Sequence, residues 1–157
     1  MIPQTLRYRN WEFESANELT MVFYEEQENG SAEKCGCDNC KNFASSRNQI
    51  YPEEVRQLFI DLGIDFKKEL EVTHFALMPN GLHFYEGCFY FNGKIINGKD
   101  CLAPVVPKGW VNELIEINEH FKIGFSENSE LTTRKENFVQ VVFSTNIPWI
   151  LETEFEL

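Results

Sequence analysis

The sequence has no long apolar run and little basic charge. No stretch of its 157 residues approaches the roughly 20 apolar residues that a membrane-spanning helix needs. Residues 1–7 show neither the apolar segment nor the cleavage site of a secretory signal. Lys and Arg number 14 against 25 Asp and Glu, so the formal net charge is -11. These absences predict a cytoplasmic protein that avoids membranes and lacks the positive patch that nucleic acid requires.

The usual sequence signatures of catalysis are also missing. The chain contains no GxSxG, HExxH, GxxxxGK[ST] or GxGxxG segment. It has only three histidines. Because its negative charge would attract a basic protein, we expect a non-catalytic acidic binding protein, either an adaptor or an inhibitor of the immunity type.

Length and patterning predict one α+β domain over residues 1–157, mainly an antiparallel sheet or sandwich with two short helices and a cysteine knuckle. Residues 6–13 and 19–24 are rich in β-branched and aromatic side chains and are predicted as strands. Residues 121–126 alternate apolar and polar side chains, and residues 138–144 provide a partner strand.

Two short helices are predicted between these groups of strands. Asp38 is expected to cap the first, which runs to Arg47. The second follows Pro52, whose missing N–H costs nothing in a first turn, and ends at Gly63. Its apolar side chains recur at spacings of three and four and should face a sheet. They are Val55, Leu58, Phe59 and Leu62.

The segment Pro79–Gly81 predicts a tight hairpin turn. Its glycine is expected in the left-handed conformation that closes a three-residue loop with a bulge. Pairing Met78 with Leu82 then places His74 opposite Glu86 on one face. The two side chains form a candidate acid/base pair, because a neighbouring carboxylate raises the pKa of an imidazole and orients it for proton transfer.

Three of the five cysteines lie close together in the run Cys35-Gly36-Cys37-Asp38-Asn39-Cys40. The two-residue gap between Cys37 and Cys40 lets two thiolates converge on one ion from a tight turn, and Cys35 can add a third. An odd number of cysteines in a reducing compartment favours metal ligands and free thiols over disulfides. We therefore predict a structural zinc site formed by Cys35, Cys37 and Cys40.

The fourth zinc ligand is not fixed by the sequence, since no second cysteine pair is present. The candidates are Cys88, Cys101, His74, His83 and water.

Two other interpretations of the cysteines stay open. In a redox site, Cys37 and Cys40 would begin a helix that lowers the pKa of the first thiol, although the βαβ pattern of thioredoxin-like proteins is absent. The thiols could also be surface groups without a role. As an alternative function we consider a metal- or thiol-dependent enzyme that uses the cluster with His74 or His83. An open coordination position in a concave pocket would favour that enzyme, and four protein ligands beside a flat acidic face would favour binding.

Overall fold

The computed structural model describes residues 2–105, 107–128 and 137–156. Within these ranges it has a seven-stranded antiparallel sheet, a separate two-stranded arm and four helices, so the predicted α+β class is confirmed. The strands are β1 (Gln4–Tyr8), β2 (Trp11–Ser15), β3 (Glu71–Leu77), β4 (His83–Asn97), β5 (Leu102–Pro104), β6 (Trp110–Asn112), β7 (Ile115–Asn118), β8 (Phe121–Ser126) and β9 (Phe138–Ile147). The helices are α1 (Asn17–Glu25), α2 (Ser31–Cys35), α3 (Asp38–Ile50) and α4 (Glu53–Leu62).

The 15-residue strand β4 is the spine of the sheet. The strand order is β1-β2-β4-β9-β8-β7, with β3 paired to the first half of β4 and β2 to its end. Strands β5 and β6 form the separate arm. No helix in the described parts of the chain is long and apolar enough to cross a bilayer.

Helix α1 covers the part of β4 that lies between its pairings with β3 and β2. The Tyr24 hydroxyl donates to the carbonyl of Tyr90 at 2.8 Å and accepts from its N–H at 2.9 Å. The Thr20 hydroxyl accepts from the N–H of Asn92 at 2.9 Å. These side chains therefore satisfy backbone groups that no neighbouring strand reaches.

Helices α3 and α4 pack on one face of the sheet, which we call the inner face. Phe59 of α4 lies 4.8 Å from Phe89 between ring centroids, and Phe43 of α3 lies 6.1 Å from Phe143. Tyr51, between the two helices, meets Phe143 edge to face at 5.4 Å. The predicted apolar stripe of α4 is confirmed, because all four of its residues are buried. This aromatic layer supplies most of the core.

The two predicted helices are present as α3, which runs on to Ile50, and α4, but α1 and α2 were not predicted and residues 19–24 are wrong as a strand. They belong to α1, whose Thr20 and Tyr24 lie four residues apart and face the sheet, a helical spacing that outweighs the β propensity of the segment. Helix α3 begins at Asp38, but Cys37 occupies the cap position. Gly63 ends α4 with φ of 85°.

The other three predicted strands are confirmed with two adjustments. A turn at Arg9 and Asn10 divides residues 6–13 between β1 and β2, with Arg9 at φ 50°. Strand β8 covers residues 121–126, and β9 extends the predicted residues 138–144 to Ile147.

The hairpin turn itself is confirmed. Gly81 has φ of 86°, and the N–H of Met78 donates to the carbonyl of Leu82 at 2.8 Å. Ala76 lies opposite Phe84, as expected from this pairing.

Beyond the turn, the predicted register is wrong. A bulge between His74 and Ala76 shifts the pairing, so that His74 lies opposite Tyr85 and Thr73 lies opposite Glu86. Because a one-residue shift exchanges the two faces of a strand, His74 joins the inner face and Glu86 the opposite, outer face. The candidate acid/base pair therefore does not exist.

Candidate metal centre

The connection between α2 and α3 brings three cysteines together. Cys35 ends α2, and Gly36 reverses the chain in the left-handed conformation at φ 72°. Cys37 is extended and caps α3, and Cys40 lies in the first turn of that helix. Positions three apart at a helix start lie on the same side, so the thiols of Cys37 and Cys40 meet that of Cys35.

The three thiols, here called the thiol trio, are spaced for one metal ion. Their Sγ atoms all lie within 4.8 Å of one another, and those of Cys35 and Cys37 are 3.3 Å apart. Tetrahedral metal–thiolate bonds of ~2.3 Å would separate two sulfurs by ~3.8 Å. The trio can therefore hold a metal ion after small side-chain adjustments. Among the residues that the structure describes, no fourth His, Cys, Asp or Glu atom joins the group.

The thiols of the trio differ in exposure and acidity. Cys35 and Cys37 are exposed, whereas Cys40 is 8% exposed. The backbone N–H of Cys37 donates to the Cys35 sulfur and, with the thiols of Cys37 and Cys40, lowers the pKa of Cys35. Burial raises the pKa of Cys40 far above its ordinary value. A thiolate therefore forms more readily at the outer edge of the trio than at its base.

The remaining cysteines lie elsewhere. Cys88 packs with Tyr90 and Phe138 in a small apolar cluster on the outer face. Cys101 is buried, with its sulfur 3.7 Å from Oδ1 of Asn112. Burial raises the pKa of each thiol to about 12. Neither cysteine belongs to the metal-ligating group.

His74 and His83, here called the histidine pair, are hydrogen-bonded to each other. Nε2 of His74 and Nδ1 of His83 are 2.8 Å apart. Trp149 and Phe155 cover His83, with ring centroids 5.1 Å and 4.6 Å from its own. Burial lowers the pKa of both imidazoles, and the charge of His83 further lowers that of His74. The sequence did not predict this covered pair. The bulge in β3 places His74 on the inner face, and the C-terminal segment supplies the rings that cover His83.

A buried ion network joins the two helices that carry the trio. Arg47 of α3 donates to both carboxylate oxygens of Glu69 at 2.8 Å and also pairs with Glu33 of α2. Glu69 is 1% exposed, and it also accepts from the N–H of Ala32 at 3.1 Å. The network thus fixes α2 against α3 and the segment before β3. No local sequence pattern marks it, since its three charged residues are far apart in the chain.

No family model, no curated protein and no solved structure matches the chain.

Proposed function

We propose that this protein is a non-catalytic acidic binding protein of the adaptor or inhibitor type, with one structural zinc ion held by Cys35, Cys37 and Cys40. The observation that carries the zinc assignment is the convergence of three sulfurs within 4.8 Å on one short turn. Thiolates suit zinc, and water can complete a tetrahedral set of three protein ligands.

A zinc ion in the trio would raise the free energy of unfolding. Helix α2 has only five residues, too few to be stable alone, and the ion would join its end to the start of α3. The exposure of Cys35 and Cys37 favours this role over catalysis, because a zinc-bound water there would lack the enclosing walls of an active site. Cavities of about 340 Å³ and 200 Å³ are lined by other residues.

The charge of the chain supports the binding role. At -11, the protein attracts basic partners and repels phosphate backbones. Association with a basic protein is expected to slow as salt rises, because ions screen charges over ~8–10 Å.

Thermal unfolding of the reduced protein tests the zinc site. With zinc at a thousand times its dissociation constant, stabilisation of about 4 kcal/mol is expected, and a chelator should abolish it. Cys40→Ser should melt equally with and without chelator. The control Cys88→Ala, outside the trio, should keep the chelator response. Metal content near zero under reducing conditions, with melting unchanged by chelator, would contradict the proposal.

Capture from cells that produce the protein tests the binding role. The protein should recover a partner rich in Lys and Arg, in a complex weakened by salt. Tight binding of duplex DNA at physiological salt would contradict the proposal, as would recovery of metabolic enzymes or small molecules alone.

A further inference from the structure

The outer face of the sheet carries a polar cavity that the zinc proposal does not use. It measures about 200 Å³ and lies between the β3–β4 hairpin and strand β6. The residues that line it include Glu71, Thr73, Phe75, Glu86, Asn112 and Gln140.

The register of the sheet places two carboxylates in this cavity. Glu71 lies opposite Cys88 and Thr73 lies opposite Glu86, so alternate residues of both strands present Glu71 and Glu86 on the same face. Nδ2 of Asn112 donates to Oε1 of Glu86 at 3.4 Å, which places strand β6 beside the cavity.

Within the part of the chain that the structure describes, no cation pairs with the two carboxylates of the cavity. Neither Glu71 nor Glu86 forms an ion pair with any residue in the described ranges, and neither Lys nor Arg is among the lining residues. The negative charges also affect two buried thiols. Burial is the main cause of the raised pKa of Cys88, and the charge of Glu71 adds to it. At Cys101, burial again contributes most to the raised pKa, followed by the charge of Asp100 and then by that of Glu86. The cavity is therefore complementary to a cationic group.

One exposed aromatic side chain, Phe75, lines the cavity, and a second, Trp110, lies two residues before the lining residue Asn112 in β6. Phe75 is 59% exposed and lies 6.0 Å from Phe84 between ring centroids. Trp110 is 66% exposed. Because alternate residues of a strand share a face, it lies on the same face of β6 as Asn112, whose side chain donates to Glu86. Exposed aromatic rings beside carboxylates suit a guanidinium, which forms paired hydrogen bonds through its edge and stacks through its plane.

We propose that this outer-face cavity receives an arginine side chain of a protein partner. Glu71 and Glu86 accept hydrogen bonds from the guanidinium, while Phe75 and Trp110 pack against its plane and its aliphatic stem. The inference rests on the proposed binding of a basic protein and assigns the surface that binds it. Tryptophan and arginine are among the residues that dominate interface energies, which fits a central contact of this kind.

Titration with N-acetyl-arginine amide, followed by the NMR signal of the Trp110 indole N–H, tests the cavity directly. We expect a saturable shift in the wild-type protein and binding at least about tenfold weaker in the double variant E71Q/E86Q, which loses two charge-assisted contacts. The matched control E25Q/D65N removes the same charge from the cavity between α1 and α4 and should bind as the wild type does. Equal weakening in both double variants, or no saturable shift, would overturn the inference.

A second variant guards against a folding defect in the first. T73R places a guanidinium inside the cavity from an exposed position opposite Glu86 and should also abolish the shift. Retained binding by a folded T73R would overturn the inference.

Partner capture separates the two proposals. If E71Q/E86Q recovers the basic partner as well as the wild type does, this cavity is not the docking surface and the proposed function stands. If the wild type recovers no basic protein, the proposed function itself fails.

Discussion

The thiol trio and the histidine pair are both built from metal-ligating side chains, yet the structure arranges them in opposite ways. The trio is open, with Cys35 and Cys37 exposed and all three sulfurs within 4.8 Å of one another. The two histidine rings are hydrogen-bonded to each other at 2.8 Å, and Trp149 and Phe155 cover His83. The two groups therefore differ in the number of side chains that they bring together and in their access to an ion from solvent.

Tyr85 lies between the two groups. Its ring is 5.0 Å from that of His74, and its hydroxyl donates to the carbonyl of Asn39, within the first turn of α3, at 2.7 Å. Burial raises its pKa to about 12, so the hydroxyl keeps its proton and stays a donor at neutral pH. Both groups therefore lie next to Tyr85 but differ in their exposure to solvent, so mutations can test them separately.

The largest effect on stability is expected from breaking the buried ion network of Arg47 and Glu69. Arg47→Met leaves Glu69 buried without its cation, which should lower the free energy of unfolding by ~3–5 kcal/mol. Denaturant unfolding measures this loss. The control Glu33→Gln removes only the outer, partly exposed carboxylate and should cost less than about 1 kcal/mol. Similar losses in the two variants would contradict the assignment of the buried Arg47–Glu69 pair as the main stabilising contact of the network.

Two glycines give a matched test of the trio against the hairpin that carries the histidines. Gly36 and Gly81 have φ of 72° and 86°, and a Cβ added at either would meet nothing within 4 Å. Substitution by Ala at either position should therefore cost about 1 kcal/mol through backbone strain alone. Gly36→Ala should also weaken zinc binding in a competition titration, whereas Gly81→Ala should not. Equal zinc affinities in the two variants would contradict a role of the turn at Gly36 in metal binding.

The smallest effect concerns the pH dependence of the histidine pair. Burial holds both pKa values below the ordinary 6.5, so below that pH the unfolded chain binds more protons than the folded one. Stability should therefore fall as the pH drops through about 6.5. Melting temperatures from pH 7.5 to 5.5 should fall less steeply in His83→Gln than in the wild type, and the exposed-site control His120→Gln should follow the wild type. Parallel curves for all three proteins would contradict this account.

The candidate site could be predicted from sequence where its geometry is local. The spacing of Cys35, Cys37 and Cys40 places their thiols within a single turn, so no long-range contact is needed to bring them together. The same holds for the left-handed Gly81, which a tight turn requires.

What the sequence could not supply depends on contacts between distant segments. The bulge near His74 exchanges the faces of β3, and nothing in the local alternation signals it. Trp149 and Phe155 reach the histidine pair only because the chain returns after β9. Arg47 and Glu69 pair across helices and loops, so their partnership emerges only in the folded chain.

X-ray absorption at the zinc edge of the reduced, zinc-loaded protein tests the central claim most directly. We expect three sulfur neighbours at ~2.3 Å and one lighter atom at ~2.0–2.2 Å, a spectrum that His83→Gln leaves unchanged and Cys40→Ser alters by the loss of one sulfur. A first shell dominated by nitrogen or oxygen, or one that Cys40→Ser does not change, would contradict the assignment of the trio as the metal centre.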